Sequence, residues 1–481
     1  MNHSLSSSCD VAVVGAGPAG IVAALRAADL GARTVLIVRG EFGGMAANDG
    51  PVPVRTLAHA ARLLRDARQH GRYGIATGRP SLDYAALLAR VREVVGKVSA
   101  RSSFRQQLDD LGVSVRERAG AARFEDPHTI ATGDGSRLRA DKFVVCTGGK
   151  SRTLPIPGFE LTATHSDAWG LNSVPASMLV VGAGATGVQV ASVFSAFGTR
   201  VQLFQAGPRI LPGEDEDVSE AVAEAFRASG VEVHEEFGAI EQFERASEGV
   251  RMVYGKNGER RCAEAELAVA AVGWVADTAD LAPAAAGIAL DDRGFVKVDA
   301  HLATSAAHVF AAGDAIGRMM LVPQAIQGAF IAATNAVRGP SLVVENQAAP
   351  TGSFTDPEYA QVGLTEARAK EKHRVAVGVL RFDETTRTII DGRTRGFCKL
   401  VVDTTSRQIL GCHIVGERAV EIAQLAAVAM AGGMTIDALA RLPLSYPTYG
   451  AVIGRVAAKV ARELGGPSAP GAGLAESYLP N

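Results

Sequence analysis

The chain has 481 residues, which is too long for a single hydrophobic core and enough for about three domains of ordinary size. Its formal net charge is -2 at pH 7, so it has no basic excess of the kind that binds nucleic acid. No apolar run reaches the roughly 18 residues of a membrane-spanning helix. We therefore expect a globular protein that binds neither nucleic acid nor a membrane.

The ends of the chain and its cysteines give an expected location. The first ten residues are polar and lack the charged and apolar regions of a secretory signal peptide. The cysteines are few and scattered, which suits a reducing compartment, so we expect a cytoplasmic protein. The stretch 465–481 is rich in Gly, Pro, Ser and Ala and is typical of a disordered tail.

The first predicted elements are a strand, a glycine-rich turn, a helix and a second strand. An apolar strand is predicted at 11–14, and after the helix another strand covers 34–38. Gly15, Gly17 and Gly20 form a G-x-G-x-x-G pattern between the first strand and the helix. In this position the glycines allow a tight turn and close approach of a pyrophosphate to the helix N-terminus. The segment therefore predicts a dinucleotide-binding unit.

The same unit recurs after a second predicted strand at 178–181. Gly182, Gly184 and Gly187 form its glycine pattern, and a strand at 200–204 follows the helix. One such pattern is weak evidence, whereas two patterns, each between a strand and a helix, argue against coincidence. The chain is therefore predicted to bind two dinucleotides.

The end of the second Rossmann strand bears on the choice between NADH and NADPH. An acidic residue there usually binds the ribose hydroxyls of NAD, and an arginine accommodates the 2′-phosphate of NADP. This strand ends in Gln205, which has neither charge. Arg209 either reaches a phosphate or is a surface residue. Because no carboxylate is present to repel the phosphate, we predict a slight preference for NADPH.

The segment 43–57 reads GGMAANDGPVPVRTL. It resembles the active-site segment G-G-T-C-x-N-x-G-C-x-P-S-K of the family of glutathione reductase, dihydrolipoamide dehydrogenase and mercuric reductase. Further motifs resemble the same family, and they contain Gly44, Gly148, Gly273, Gly313 and Asp314. The resemblance implies that FAD occupies the first unit, where Asp314 binds a ribityl hydroxyl, and that NAD(P)H occupies the second. No metal site is implied.

The resemblance covers about residues 10 to 464 and implies an α/β fold. This fold has two Rossmann-like dinucleotide-binding domains and a C-terminal α+β dimerisation domain, which makes the protein a homodimer with shared active sites. The predicted domains, in chain order, are FAD-binding (1–158), NAD(P)-binding (159–280), FAD-binding again (281–344) and dimerisation (345–464). Within the last, a β-hairpin is predicted at 396–415, with Cys398 facing Cys412 if its turn centres near residue 405, and a helix at 419–431.

The chain departs from the family at each group that moves electrons beyond the flavin. These groups are the two redox cysteines, a lysine and a glutamate that pair near the flavin, and a His–Glu dyad from the partner subunit. The residues at these positions are Ala46, Pro51, Arg55, Gln189, Tyr446 and Ala451. Without a dithiol, the acceptor must react directly with reduced flavin.

We therefore predict an FAD-dependent NAD(P)H oxidoreductase for a small electrophilic acceptor such as a quinone, and no disulfide or mercuric reduction. The predicted catalytic residues are Asp49 and Arg55, together with Tyr446 of the partner subunit. Asn48 and the partner subunit's Tyr449 are also predicted to lie in the pocket. Aromatic walls and a few polar groups suit a flat acceptor. The simpler interpretations are a surface arginine, a loop-capping aspartate and tyrosines that pack the dimer interface.

Two other functions stay open. The protein is either a catalytically idle FAD-binding regulatory or scaffold protein, or a flavin oxidase or oxygenase that activates dioxygen. The intact second glycine pattern and Gly273 favour an enzyme over an idle protein. Val38 stands where the first unit usually has an acidic ribose ligand, with Arg39 and Glu41 nearby, so we expect weaker binding of the adenosine of FAD.

Overall fold

The computed structural model describes residues 8–76, 78–101, 103–344 and 349–465. They form two compact units. The first unit contains described residues of 8–57, 83–153 and 273–344, and the second contains those of 58–82, 154–272 and 349–465. The first seven residues and, apart from residue 465, the predicted disordered tail lie outside the described residues.

A seven-stranded sheet is the centre of the first unit. Its main path runs through Ser114–Arg116, Thr34–Ile37, Ser8–Val14, Arg137–Val145, Thr129–Thr132 and Ala122–Asp126, and Val309–Ala311 also pairs with Arg137–Val145. The strands at 8–14, 34–37, 114–116, 137–145 and 309–311 are parallel. Their Val-rich central runs are buried, as parallel strands covered on both faces require.

The helices of the first unit are Pro18–Asp29, Gly44–Asn48, Tyr84–Arg101, Phe104–Asp110 and Val322–Arg338, with short 3-10 turns at Pro283–Ala286 and Gly313–Ile316. Helices Pro18–Asp29 and Val322–Arg338 pack against the sheet, and Tyr84–Arg101 packs against Gly44–Asn48. Helix Pro51–Ala67 starts in this unit and ends in the second. Small residues such as Ala23 and Ala332 let helices Pro18–Asp29 and Val322–Arg338 share one core.

A four-stranded parallel sheet carries the second glycine pattern. Its order is Glu232–Glu235, Arg200–Gln205, Ser177–Val181 and Leu267–Ala270. An antiparallel sheet of Ala239–Ala246, Gly249–Lys256 and Glu259–Ala265 lies beside it. The helices of this region are His165–Trp169, Ala185–Phe197 and Glu216–Ala228, with a 3-10 turn at Phe159–Leu161. A further 3-10 turn of the second unit, His70–Tyr73, lies beside the C-terminal region, where the Tyr73 hydroxyl donates to the Ile390 carbonyl.

The last part of the second unit is a five-stranded antiparallel sheet covered by helices. The strand order is Thr351–Ser353, Tyr359–Gly363, Ile409–Val415, Phe397–Asp403 and Val375–Arg381. The helices are Glu366–Lys370, Thr386–Ile390, Ala419–Ala431, Ile436–Ala440 and Ala451–Glu463, with a 3-10 turn at Phe382–Glu384. The predicted hairpin and the helix at 419–431 are both present.

The two cysteines of the hairpin do not lie directly opposite each other. Cys398 pairs with Ile414 and Cys412 pairs with Leu400, so the thiols are diagonal neighbours. A register irregularity after Val401 adds a residue to one strand and shifts the pairing that a symmetric turn near residue 405 would give. Both residues are fully buried.

The predicted fold class is confirmed, with two Rossmann-like sheets and a C-terminal α+β region. The two compact units do not follow the predicted domain bounds, which stay a prediction. Residues 58–82 and 154–158 lie in the second unit, and the first unit includes the residues from 273 onward rather than from 281. The physical reason is that strand Trp274–Ala276 pairs with Gly149–Ser151 of that unit. No helix in the described part of the chain is long and apolar enough to cross a membrane.

Candidate functional site

The first glycine pattern forms a tight turn between strand Ser8–Val14 and helix Pro18–Asp29. A Cβ on Gly15, whose φ is +103°, would overlap the carbonyl oxygen of Cys146, and a Cβ on Gly20 would overlap that of Gly15. Gly17, the N-cap of the helix, has no atom within 4 Å of its Cβ position. The turn therefore packs against protein at two glycines and leaves space for a ligand at the third, beside the helix N-terminus.

Other predicted flavin-binding residues converge on the same turn. A Cβ on Gly44 would lie 2.7 Å from the Cα of Gly17, and a Cβ on Gly313 would lie 3.1 Å from the Cβ of Ala19. Gly148 has a φ of +80° and open space around its Cβ position. Burial raises the pKa of the Asp314 carboxyl. The sequence motifs that are distant along the chain thus meet at one helix N-terminus.

The polar atoms of this region fit FAD. The hydroxyl of Thr147 is buried and finds no hydrogen-bond partner among the described residues. A hydroxyl or phosphate of a bound dinucleotide would satisfy it. Asp314, as a half-buried carboxylate, can accept a hydrogen bond from a ribityl hydroxyl. Sequence reasoning missed Thr147, although it stands directly before Gly148.

The second glycine pattern repeats the geometry of the first. Gly182 has a φ of +95°, and its Cβ would overlap the carbonyl oxygen of Ala271. A Cβ on Gly187 would overlap the carbonyl oxygen of Gly182, whereas Gly184 faces open space. Helix Ala185–Phe197 starts there. The residues therefore fit the pyrophosphate of a second dinucleotide.

Two side chains near this pattern are held by neighbouring residues. The side-chain oxygen of Gln205 accepts a hydrogen bond from the backbone N–H of Ala183 at 3.0 Å. The Arg209 guanidinium donates to the carbonyl of Glu214 at 3.0 Å and to the hydroxyl of Ser219 at 2.8 Å. Arg209 therefore stabilises its own loop. These contacts do not support the alternative that Arg209 binds the 2′-phosphate of NADPH.

Gln189, at the position of the family's glutamate, joins two parts of the second unit. Its side-chain oxygen accepts hydrogen bonds from the Ser353 hydroxyl and the Phe354 N–H, both at 2.9 Å. Its amide donates to the Phe354 carbonyl at 3.3 Å. A neutral amide can make both kinds of bond at once, whereas a carboxylate only accepts. Gln189 is therefore a structural residue in this protein.

A buried lysine fixes the loop that follows the second Rossmann strand. The Lys399 ammonium lies 2.7 Å from Glu366, 2.9 Å from Asp217 and 3.2 Å from Asp215. Its side chain is 5% exposed, so the ion pairs are largely shielded from water. The backbone of Leu211 in the same loop donates to the Ala183 carbonyl at 2.8 Å. The C-terminal sheet thus helps to hold the loop beside the second glycine pattern.

The segment that resembles the family's redox centre contains two consecutive helices. Ala46 is half-buried in helix Gly44–Asn48, and Pro51 is the exposed first residue of helix Pro51–Ala67. Asp49 is half-buried between them, and Arg55 is exposed on the longer helix. The Asn48 amide donates to the carbonyls of Phe42 and Gly44, both at 3.0 Å, so part of its hydrogen-bonding capacity stabilises its own segment.

The two tyrosines near the C-terminus have different surroundings. Tyr446 is 68% exposed, and its hydroxyl lies 2.9 Å from that of Thr386. The Tyr449 hydroxyl donates to Asp391 at 3.0 Å, and the Arg387 guanidinium lies 5.7 Å from its ring centre. Burial and the hydrogen bond to Asp391 raise the pKa of Tyr449. Tyr449 is therefore bound within its own chain, while the Tyr446 ring is largely free to meet another molecule.

The cysteines lie at sites that disfavour the thiolate. Burial raises the pKa values of Cys9 and Cys146 to about 12. A hydrogen bond between Cys398 and Cys412, together with burial, raises the pKa of Cys412. Cys262 is exposed on strand Glu259–Ala265. Within the described ranges, no cluster of three His, Cys, Asp or Glu side chains could hold a metal ion.

Comparison with known proteins identifies the same architecture. Residues 9–329 match the model of the pyridine nucleotide-disulphide oxidoreductases, and residues 349–457 match the dimerisation domain of that family. Dihydrolipoyl dehydrogenase of Zymomonas mobilis is 32% identical over 430 residues, which cover 86% of this chain and 90% of that protein. Mercuric reductase of Bacillus cereus is 30% identical over 443 residues, which cover 91% of this chain and 69% of that protein.

A solved structure shares the fold. The HOCl-induced flavoprotein disulfide reductase RclA of Escherichia coli superposes with a TM-score of 0.82 at 24% sequence identity. The match covers 94% of this chain and 100% of that one.

The two glycine turns and the residues that converge on them define a flavin-dependent pyridine nucleotide oxidoreductase. The chain belongs to the pyridine nucleotide-disulphide oxidoreductase family and carries the dimerisation domain of that family. Members of the family use FAD and NAD(P)H, so the predicted family and cofactors are confirmed.

Substituting Gly187→Ala should weaken NAD(P)H binding and leave FAD bound. The new methyl group would overlap the Gly182 carbonyl, so the turn must open, at a cost of about tenfold or more in affinity. Titration of the flavoprotein with NAD(P)H measures the affinity, and the flavin absorbance reports the FAD content. Gly96→Ala is the control, because a Cβ there has no neighbour within 4 Å. Unchanged NAD(P)H affinity would contradict the close-packing argument.

Substituting Glu214→Gln should stabilise the protein increasingly as the pH rises from 4.5 to about 7, and fully above that range. Burial and the neighbouring Asp215 raise the pKa of Glu214 from 4.5 to about 7, so the folded protein holds this proton more tightly than the unfolded chain. The carboxylate therefore lowers stability progressively as pH rises from 4.5 to about 7. We expect a gain on the order of 1–3 kcal/mol at about pH 8 and little near pH 5, measured by denaturant unfolding. The exposed Glu220→Gln is the control; an equal gain at both pH values would refute the prediction.

Proposed function

We propose that this protein is an FAD-dependent NAD(P)H oxidoreductase that passes electrons directly from reduced flavin to a small electrophilic acceptor such as a quinone. One observation carries the proposal. Both dinucleotide turns keep the geometry that binding requires, while Ala46 and Pro51 stand where the family's motif has its redox cysteines. A protein that keeps both cofactor sites can still transfer a hydride from NAD(P)H to FAD. Without the cysteine pair, the reduced flavin must pass its electrons to an acceptor other than a protein disulfide.

The surroundings of the other cysteines support this proposal. A thiol exchanges with a disulfide through its thiolate, and the raised pKa values of Cys9, Cys146 and Cys412 disfavour that form near neutral pH. These residues lie in strands or directly after one, and all are buried. None of the three is therefore suited to replace the redox pair.

The proposed acceptor pocket is lined by Asp49 and Arg55 of one subunit and by Tyr446 of the partner subunit. Arg55 lies near the N-terminus of helix Pro51–Ala67, where its guanidinium and the helix dipole both favour negative charge that develops on an acceptor oxygen. The exposed Tyr446 ring offers a flat, largely apolar surface with one hydroxyl. The matched dimerisation domain supports the homodimer that this arrangement requires. A cytoplasmic location stays a prediction.

An anaerobic titration of the purified protein with NADH and NADPH tests the function. We expect full bleaching of the flavin without a long-wavelength charge-transfer band, and reoxidation when a quinone is added. Reoxidation by air alone at a comparable rate would favour an oxidase or oxygenase. Failure of both nucleotides to reduce the flavin would favour an idle scaffold, and rapid turnover of glutathione disulfide, lipoamide or mercuric ion would contradict the proposal.

The pocket residues should act on only one half-reaction. Arg55→Ala and Tyr446→Ala are expected to slow reoxidation of the flavin by a quinone by roughly tenfold to a hundredfold, because each removes a contact to the acceptor. Flavin reduction by NAD(P)H should change much less. Stopped-flow measurement of the two half-reactions decides between these outcomes. His59→Ala, one helical turn from Arg55 and also exposed, is the matched control; unchanged reoxidation in both variants would exclude this pocket.

The nucleotide preference should follow the charge at residue 205. The wild-type residue is neutral, so we propose a slight preference for NADPH, and Gln205→Glu should reverse it towards NADH. The new carboxylate would repel the 2′-phosphate, and we expect about a tenfold change in the ratio of kcat/KM values. Steady-state kinetics with both nucleotides measure this ratio. Gln202→Glu, on the same strand, should leave it unchanged; a similar shift in both variants would show only a general effect of charge.

A further inference from the structure

A cleft in the first unit lies beside the first glycine turn. Its lining includes Val14 and Ile37, the last residues of two adjacent parallel strands, together with Gly15 and Thr147. Open parallel sheets bind dinucleotides outside the carboxyl ends of their strands. The cleft therefore has the position at which the adenosine of the first dinucleotide binds.

The residue that usually contacts the adenosine ribose is missing from this cleft. Val38 occupies that position and is 1% exposed. Glu41, the next acidic residue along the chain, is directed to solvent, with a side chain 76% exposed and 3.7 Å from Arg118. Neither residue supplies a carboxylate to the ribose hydroxyls.

Two carboxylates from a distant segment line the same cleft. The Arg39 guanidinium lies 3.3 Å from a carboxylate oxygen of Asp277 and 2.9 Å from one of Asp280. The other oxygen of Asp277 lies 3.2 Å from the Lys150 ammonium. Arg39 directly follows Val38, which stands where an acidic residue is usual. The Arg39 guanidinium therefore holds both carboxylates close to that position.

The backbone fixes these groups in place. The N–H of Asp277 donates to the Gly148 carbonyl at 3.0 Å, and the N–H of Phe124 donates to the Leu281 carbonyl at 2.9 Å. The Arg39 carbonyl accepts from the N–H of Gly120 at 3.2 Å. The side chains therefore start from rigid positions on both sides of the cleft.

We propose that Asp277 and Asp280 accept hydrogen bonds from the adenosine ribose hydroxyls of FAD, and that Arg39 is the residue that positions them. The proposal rests on the FAD binding of the family and does not depend on the nature of the electron acceptor. Each carboxylate has about four lone-pair positions, so contacts with Arg39 and Lys150 leave positions for hydroxyl donors. The two carboxylates thus replace the acidic residue lost at position 38.

The charges of the cleft suit a neutral ribose. Arg39 and Lys150 balance Asp277 and Asp280, and a 2′-phosphate in the cleft would meet two carboxylates. Arg39 next to a Rossmann strand would otherwise favour such a phosphate. Since the Arg39 and Asp280 side chains are 60% and 54% exposed, their ion pair contributes little to folding, and substitutions should be tolerated.

Reconstitution of the apoprotein with FAD and with FAD analogues that lack the adenosine 2′- or 3′-hydroxyl tests the proposal. In the wild type, loss of the contacted hydroxyl should weaken binding by about tenfold, measured by quenching of flavin fluorescence. In Asp277→Asn and Asp280→Asn, FAD itself should bind about tenfold to a hundredfold more weakly, and the penalty for the missing hydroxyl should shrink. Arg39→Gln should give an intermediate loss. Glu41→Gln is the matched control and should behave as the wild type.

Three results would overturn the proposal. The first is FAD affinity that is unchanged in both aspartate variants. The second is an analogue penalty of the same size in these variants as in the wild type, which would show that the carboxylates act on the fold alone. The third is equal binding of FAD and both analogues by the wild type. Failure of wild-type apoprotein to bind any flavin would instead contradict the cofactor assignment, and so would be distinguishable from these results.

Discussion

In both Rossmann units, the helix that follows the glycine turn packs directly onto the backbone of the strand that precedes it. A Cβ on Gly20 would overlap the carbonyl of Gly15, and a Cβ on Gly187 would overlap that of Gly182. This contact brings the helix N-terminus to the carboxyl edge of each sheet, where its unpaired N–H groups can bind a pyrophosphate. Thr147, Asp314 and the segment after Gly44 all lie near this edge of the first sheet.

Several positions at which the resemblance predicts a charged residue are neutral in this chain. Gln189 uses its amide to hold the segment at 353–354, and Gln205 binds the turn through Ala183. Val38 has no carboxylate to offer a ribose, while Asp277 and Asp280 line the cleft beside Arg39. Under the proposed function, flavin binding would persist while the acceptor of its electrons differs.

Side-chain hydrogen bonds within the chain also show why motif position alone did not settle the role of some residues. Arg209 was a candidate phosphate ligand because it is basic and follows the second Rossmann strand. Its guanidinium instead binds the carbonyl of Glu214 and the hydroxyl of Ser219, two groups whose approach depends on how the loop closes. The placement of Asn48 and Tyr449 in a pocket stays a prediction; the structure shows that Asn48 bonds to its own segment and that the Tyr449 hydroxyl bonds to Asp391. Motif position does not fix the direction of a side chain.

The sequence alone determined the two dinucleotide units, their order and the C-terminal α+β region, because glycine spacing and apolar runs are local signals that only a few backbone conformations satisfy. It also predicted, from the resemblance of the segment 43–57, that alanine and proline stand where the family's motif has cysteines. Only the tertiary structure placed Asp277 and Asp280 beside Arg39, and Lys399 among three carboxylates. These groups are far apart along the chain, and their meeting depends on sheet order and loop closure, which no local pattern encodes.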